Sequence, residues 1–324
     1  MRPLLLAAAA LAAAAPLLAQ RRPAAAPALV VTDRWLADRL DRGDTSLVLL
    51  HVGARGAFDA GHIAGSRFVS LEQYAPANAA DTLERELPTP EALRALLEPL
   101  GVADGRRVIV IGQPLPAARF AFTMAAMGRE AMVSVLDGGV ETWREAGRAL
   151  VTEATPALDP ARRGTLTLDP VAALVATTAE VARLSADTTA DVAAASPRPV
   201  RRRGARPASR TRVVDARLPE FYAGTSQGGL PRSGHIPGAR SVPLSSLAGA
   251  AGALRDTSAV RARFAAAGIA PRDTVVSYCF IGMQGSLLWL QARRLGHPAR
   301  LYDASFTAWS RDRTLPVSTG LAPR

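Results

Sequence analysis

Gly61-His62-Ile63-Ala64-Gly65 and Gly234-His235-Ile236-Pro237-Gly238 are two copies of one short signature, Gly-His-Ile-x-Gly. The sequence around them repeats as well. Upstream of the first copy, Leu47 to Val52 is an apolar run followed by Phe58 and Asp59; upstream of the second, Val213-Val214-Asp215-Ala216-Arg217 leads to Glu220 and Phe221. Downstream, Val108 to Ile111, Ala117 to Met127, Val133 to Gly139 and Trp143 match, in the same order, Thr274 to Tyr278, Ser286 to Leu295, Arg300 to Ser305 and Trp309. Thr32 to Leu40 and Thr177 to Leu184 read as the helices that open each copy. Self-similarity on this scale marks a duplicated unit. Short apolar strands alternating with amphipathic helical stretches predict an α/β fold of two domains, each a parallel sheet with helices on both faces.

In open parallel sheets the reactive crevice lies at the carboxyl ends of the strands. The only cysteine of the chain, Cys279, falls at such a place, directly after Thr274-Val275-Val276-Ser277-Tyr278. It is followed by Phe280-Ile281-Gly282-Met283-Gln284-Gly285 and then by a helix-compatible stretch to Leu295. In a strand, loop and helix of this kind, amide N–H groups of the loop and first turn converge on the sulfur, and the helix dipole favours its anionic form. Gly282 permits a tight curl, and Gln284 can add an amide donor. A lone cysteine is otherwise a small buried hydrophobe. At the corresponding place the first copy reads Ile111-Gly112-Gln113-Pro114-Leu115-Pro116, with no cysteine and with two prolines that remove amide donors. The first domain is therefore read as catalytically inactive and the second as catalytic.

The ends and the charge set further bounds. Arg2 and the apolar stretch Leu4 to Ala15 read as a signal peptide over 1–19, with Pro16 to Ala19 as its cleavage region before Gln20. That stretch is shorter than the about 20 residues a membrane span needs. The expectation is an exported, periplasmic protein, not embedded in a membrane, with domains at 28–152 and 165–320. One cysteine allows no disulfide within the chain and no resolving thiol. The net charge is +11, from 39 basic and 28 acidic residues, and every basic residue is arginine. Much of the excess lies in an Arg/Pro/Ala-rich insertion, 185–211, which reads as a disordered loop; with no aromatic residues interleaved, it predicts no nucleic-acid partner. The histidine and cysteine spacings form no metal site, and no cofactor is implied.

The two Gly-His-Ile-x-Gly motifs, the Leu136-Asp137-Gly138-Gly139 to Trp143 segment and the strand–Cys279 loop, in this order, resemble a tandem rhodanese, or thiosulfate sulfurtransferase-type, protein. The resemblance runs from about Val30 to Val317. It implies a ping-pong sulfurtransferase in which Cys279 takes a sulfane sulfur from thiosulfate or an organic persulfide. The resulting Cys279 persulfide passes that sulfur to cyanide or a thiol. It also implies substrate contacts along Phe280, Ile281, Gly282, Met283, Gln284 and Gly285. Arg217 is either a further anion contact or the partner of Asp215 or Glu220. The partners expected are a small-molecule sulfur donor and acceptor, with a sulfur-accepting protein as a further candidate.

This loop departs from some thiosulfate-using relatives, which carry a cation inside it where this chain has Phe280, Ile281 and Met283. They also carry an arginine where this chain has Glu220 and Phe221. Thiosulfate is a dianion, so its binding suffers, and an apolar rim favours an organic persulfide or thiol. The alternative function is a non-enzymatic exported binding or sulfur-sensing module. A cysteine phosphatase of related fold would close its loop with an arginine, but the sixth residue after Cys279 is Gly285. His62 and His235 recur in both copies, including the one without a nucleophile, and read as fold residues. Trp143 and Trp309 read as core anchors and Asp303-Ala304-Ser305 as a turn.

Overall fold

The computed structural model describes residues 28–77, 83–160, 163–193 and 209–322. The signal segment 1–19 lies outside them. In the first copy, strands β1 (Val30–Val31), β2 (Leu47–Gly53), β3 (Arg67–Ser70), β4 (Arg107–Ile111) and β5 (Val133–Leu136) form one sheet of order β1-β5-β4-β2-β3. In the second, β6 (Thr211–Asp215), β7 (Arg240–Ser241), β8 (Thr274–Tyr278) and β9 (Ala299–Leu301) form a sheet of order β7-β6-β8-β9. Every strand pair is parallel. A single parallel bridge from Val175 to Leu301 supplies the counterpart of β1, so the two sheets have one topology. The duplication read from the sequence is thus a duplication of structure.

The helices of the first copy are α1 (Asp33–Asp41), α2 (Arg55–Ala60), α3 (Leu71–Tyr74), α4 (Pro90–Leu97), α5 (Pro114–Ala126) and α6 (Gly139–Glu145). Those of the second are α7 (Thr178–Ala193), α8 (Pro219–Ala223), α9 (Thr257–Ala266), α10 (Met283–Arg294) and α11 (Ser305–Arg311). The opening helices are capped as their sequences dictate. Thr32 accepts from the Trp35 amide, and Thr177 and Glu180 exchange bonds in a capping box. Strand alternation then sorts the faces. Leu49, Ile109 and Ile111 pack outward with Leu36 of α1 and Trp143 of α6, whereas Leu50, Val108 and Val110 join the inner core with Phe120 and Phe122 of α5. In the second copy Val276 and Tyr278 pack outward with Val181, Phe306 and Trp309, and Val275 and Cys279 fall on the inner side.

That inner core is common to both domains. Helix α5 of the first packs on α10 of the second, with Phe122 and Trp289 edge to face at 5.3 Å, an arrangement worth about 0.5–1.5 kcal/mol beyond the area it buries. Between the domains, residues 163–171 run as a strap along the first. The Asp104 amide donates to the Thr165 carbonyl, and the Asp169 and Val171 amides donate to the Met127 and Ala126 carbonyls.

The stretch 185–211 requires a correction. It is not a loop from its start, because α7 continues to Ala193. Ser185 is buried and donates to the Pro237 carbonyl, and the Thr188 side chain lies against Gly238, so the helix docks on the second Gly-His-Ile-x-Gly turn. Residues 194–208 lie outside the described residues. The histidines of the two signatures hold equivalent places. His62 makes an antiparallel bridge to Val151 and stacks on Phe58 at 3.7 Å; His235 bridges to Ser318 and stacks on Tyr222 at 3.8 Å. Each Nδ1 meets the backbone carbonyl of the residue whose ring it stacks on, Phe58 at 3.0 Å and Tyr222 at 2.8 Å.

A third histidine, His51, sits near the carboxyl end of β2 with Nδ1 buried and without a partner. Burial, reinforced by the nearby His62, lowers its pKa from the ordinary 6.5 to about 4. A base whose folded-state pKa is depressed stays neutral while the unfolded chain takes up a proton, so stability present above pH 6.5 declines as pH falls toward 4. The expected loss is up to about 3 kcal/mol. Urea unfolding of wild type and His51→Gln between these limits measures it, and the variant gives the flatter curve.

Candidate functional site

Cys279 is the first residue beyond β8 and is 1% exposed. Three amides converge on its sulfur, those of Ile281, Gln284 and Gly285. The cradle expected from the loop sequence is therefore present. The main chain that carries it is fixed from below by Ser305, whose Oγ accepts from the amides of Cys279 at 3.1 Å and Gly282 at 3.2 Å and donates to the Tyr302 carbonyl at 2.8 Å. The Cys279 and Phe280 carbonyls accept from the amides of Phe306 and Thr307, so the first turn of α11 closes the other side. Gly282 has φ +79° and is the N-cap of α10; a Cβ there would lie 2.2 Å from Asp303 Oδ1. A Cβ on Gly285 would press on the Tyr278 backbone at 3.3 Å and on the Leu301 side chain.

Burial and the cradle oppose each other at the sulfur. Burial pushes the Cys279 thiol above its ordinary range, the three amides pull it down, and nearby Asp215 adds to the upward push; the net direction is up. The resting cysteine is a thiol whose surroundings are arranged for an anion.

Phe280 and Phe221 meet edge to face at 4.9 Å beside the loop, and Gly228 fits closely against both rings. Ile281, Met283 and Gln284 are half-buried, and the Gln284 Oε1 is buried without a partner. Arg217 is buried, and of the roles open to it in the sequence the geometry shows pairing with Asp215. Its Nε and Nη2 donate to that carboxylate at 2.6–3.1 Å, and Nη2 also reaches the Gly234 carbonyl at 2.7 Å. Glu220 is not its partner. The guanidinium lies 4.1 Å over the Phe306 ring and 5.2 Å from that of Phe280, close enough to Cys279 for their charges to interact.

Three functional neighbours were not legible as such: Ser305, Asp303 and Arg119. Arg119 belongs to α5 of the first domain, is fully buried, and pairs through both Nη atoms with Asp303 of the second. An arginine inside the Ala-Ala-Arg-Phe-Ala-Phe run of a buried helix is a signal that reading for apolar periodicity passes over. Removing one partner of such a pair costs about 3–5 kcal/mol. Asp303 also lines a cavity of about 760 Å³ between the domains, together with Glu86, Thr177 and Tyr302.

The first copy has a different site at the equivalent strand ends, a cavity of about 280 Å³ lined by His51, Gly112, Gln113, Pro116 and Arg144 among others. Gly112 and Gln113 alone separate β4 from α5, which opens on Pro114. Among the described residues no group of three or more His, Cys, Asp or Glu could hold a metal ion. Likewise, no described helix is long and apolar enough to cross a membrane.

The family description of the rhodanese-like domain matches residues 32–146 and 201–312, one stretch in each copy. The chain belongs to the rhodanese family. It is 27% identical to the sulfur carrier protein TtuD of Thermus thermophilus, over 91% of this chain and 98% of that one. It is 28% identical to the 3-mercaptopyruvate sulfurtransferase of Escherichia coli K12, over 87% and 95%. Among solved structures, the anaerobic ergothioneine biosynthesis enzyme from Chlorobium limicola superposes with a TM-score of 0.73 at 21% identity, covering 91% of this chain and 71% of that one; this likeness is one of fold. Sulfur transfer is the general activity that the rhodanese relatives support.

A methyl group at position 282 tests the loop geometry. Gly282→Ala has to adopt a left-handed backbone and displace Asp303, so a loss of about 1–3 kcal/mol in thermal unfolding is expected. Cys279 alkylation should slow with it, since the Gly282 amide no longer seats on Ser305.

Proposed function

We propose that this protein is a sulfurtransferase that works through a persulfide on Cys279. The observation that carries this reading is the convergence of the Ile281, Gln284 and Gly285 amides on one sulfur. Such donors stabilise negative charge where it develops, first on the attacking thiolate and then on the terminal sulfur of the persulfide. With thiosulfate, the Cys279 thiolate attacks the outer sulfur, the S–S bond of the donor breaks, and sulfite leaves with its electron pair. With an organic persulfide the leaving group is the corresponding thiolate. In the second half-reaction cyanide or a thiolate attacks the terminal sulfur of the persulfide, and the Cys279 thiolate departs. No net oxidation occurs and no cofactor is required.

The surroundings of the loop favour an organic persulfide over thiosulfate. No cationic side chain stands within Phe280 to Gly285, Arg217 is committed to Asp215, and the Phe280–Phe221 pair makes the neighbouring surface apolar. A dianion loses hydration there without a paired charge in return. Relatives from Escherichia coli and Pseudomonas aeruginosa are named for 3-mercaptopyruvate, which makes that compound a third donor to assay. We also infer export to the periplasm from the segment Arg2 to Ala19, and N-terminal sequencing of the secreted protein is expected to begin at Gln20.

The deciding experiment incubates the mature protein with thiosulfate, glutathione persulfide or 3-mercaptopyruvate and follows thiocyanate release, with the intact mass measured in parallel. Wild type is expected to gain one sulfur atom and to turn over fastest with glutathione persulfide, and Cys279→Ala to do neither. An unchanged mass with every donor would sink the enzymatic reading in favour of a binding or sensing module.

A further inference from the structure

Helix α5 of the first domain has no cysteine to serve, yet it buries a charge against the second domain's reactive loop. Arg119 is 0% exposed, its two Nη atoms face Asp303, and Nη2 also reaches the Arg85 carbonyl. Its Nε is buried with no partner. A helix needs no arginine at such a position for packing, because a buried ion pair seldom stabilises more than well-packed apolar side chains would. At the same step of α10, five residues beyond the first, stands Leu288. What distinguishes the place reached by Arg119 is its neighbour. The Asp303 carboxylate sits directly under the Gly282 turn, so close that a Cβ on Gly282 would lie 2.2 Å from Asp303 Oδ1 and 3.0 Å from Arg119 Nη1. Two residues on, Ser305 accepts the Cys279 and Gly282 amides.

We propose that Arg119 is a positioning residue supplied by the inactive domain: through Asp303 it fixes the Gly282 turn, and its positive charge offsets the carboxylates around Cys279. The proposal rests on the sulfur-transfer reading of Cys279 for its kinetic consequences, but its electrostatic consequence can be read without turnover. The groups whose charges interact with the thiol's are Asp215, the last residue of β6, Arg217 just after it, and Arg119 from α5, which pairs with Asp303 and has Glu86 nearby. Asp215 and Arg217 form one pair and Asp303 and Arg119 the other, so each of these two carboxylates has its own guanidinium. Without Arg119, Asp303 would be left as an unpaired buried anion under the Gly282 turn of the loop that carries Cys279.

The test is the pH profile of iodoacetamide alkylation of Cys279, with folding checked by circular dichroism melts and turnover measured on the same samples. Removing the cation in Arg119→Met is expected to raise the midpoint by about one unit, and removing the anion in Asp303→Asn to lower it. A role confined to stability would move neither midpoint, or both in one direction, and either result overturns the proposal. Arg119→Lys, which keeps the charge but not the two parallel bonds, is expected to restore the midpoint while kcat stays roughly tenfold or more below wild type. Arg293→Gln removes another pair between the domains, Arg293 with Glu130, and should leave profile and turnover unchanged; a shift as large as that of Arg119→Met also overturns the proposal. If Arg119→Met does not fold, Asp303→Asn decides, and an unchanged or raised midpoint counts against Arg119. A wild type that alkylates normally but transfers no sulfur rejects the sulfur-transfer reading instead, leaving the profile to judge the positioning role.

Discussion

Each sheet of this protein is apolar on two faces and is covered on both by helices of its own copy, but the helices on the inner faces, α5 and α10, are themselves buried along most of their length. A purely parallel sheet must be covered on both sides. The outward faces are covered locally, by α1 and α6 in the first copy and by α7 and α11 in the second. The inward faces are covered by α5 and α10, which lie against each other and belong to one continuous core. The two domains are consequently one folding problem. Loss of either copy would expose Phe120 and Phe122, or Trp289 and Leu290, which are fully buried. This constraint gives the copy without a cysteine a structural part, since its α5 covers α10 of the other.

The same constraint decides where the reactive sulfur sits. Alternation along β8 sends Val276 and Tyr278 outward and places Cys279 with the inner core, at the strand's carboxyl end and beside the helix pair. The position is buried, which is costly for an anion, and it is also the place where amides of a loop and a helix start can be aimed at one atom. The result is a compromise set by magnitude. Burial outweighs the three amides in the resting protein, so the thiol keeps its proton, while donors already in place need no reorganisation when charge arrives. A water-exposed cysteine would ionise more readily and gain far less from the same hydrogen bonds.

Much of this was legible because it depends on local rules. Strand, helix and turn order follow from periodicity, and the cradle follows from the succession β8, Cys279, Gly282 and helix start. The different strand-to-helix connection of the first copy was legible in Pro114 and Pro116, which lack the amides a cradle would use. What the sequence hid depends on docking. Arg119 and Asp303 are 184 residues apart, and nothing local to either names the other. Helix α7 was misread over 185–193 for a similar reason: its polar Ser185 and Thr188 look solvated until Pro237 and Gly238 are brought against them. Arg217 allows two readings because an arginine after a strand end serves a ligand or a carboxylate equally well, and only the bonds it makes to Asp215 in the folded chain decide.

The divergence of the two copies follows from how their central helices begin. In the second, Cys279 to Gly282 intervene between β8 and α10, which leaves main chain free to wrap a sulfur. In the first, Gly112 and Gln113 are the whole connection, and α5 begins on proline with φ already set for a helix. A stiff, short connection cannot cradle an anion, but it holds the helix axis firmly. A firm axis is what a long side chain needs if it is to place a charge across a domain boundary, because any looseness at the root is magnified at the guanidinium. The short, proline-led connection that leaves the first copy without a loop around a sulfur is thus the one that roots α5 as a strut for Arg119.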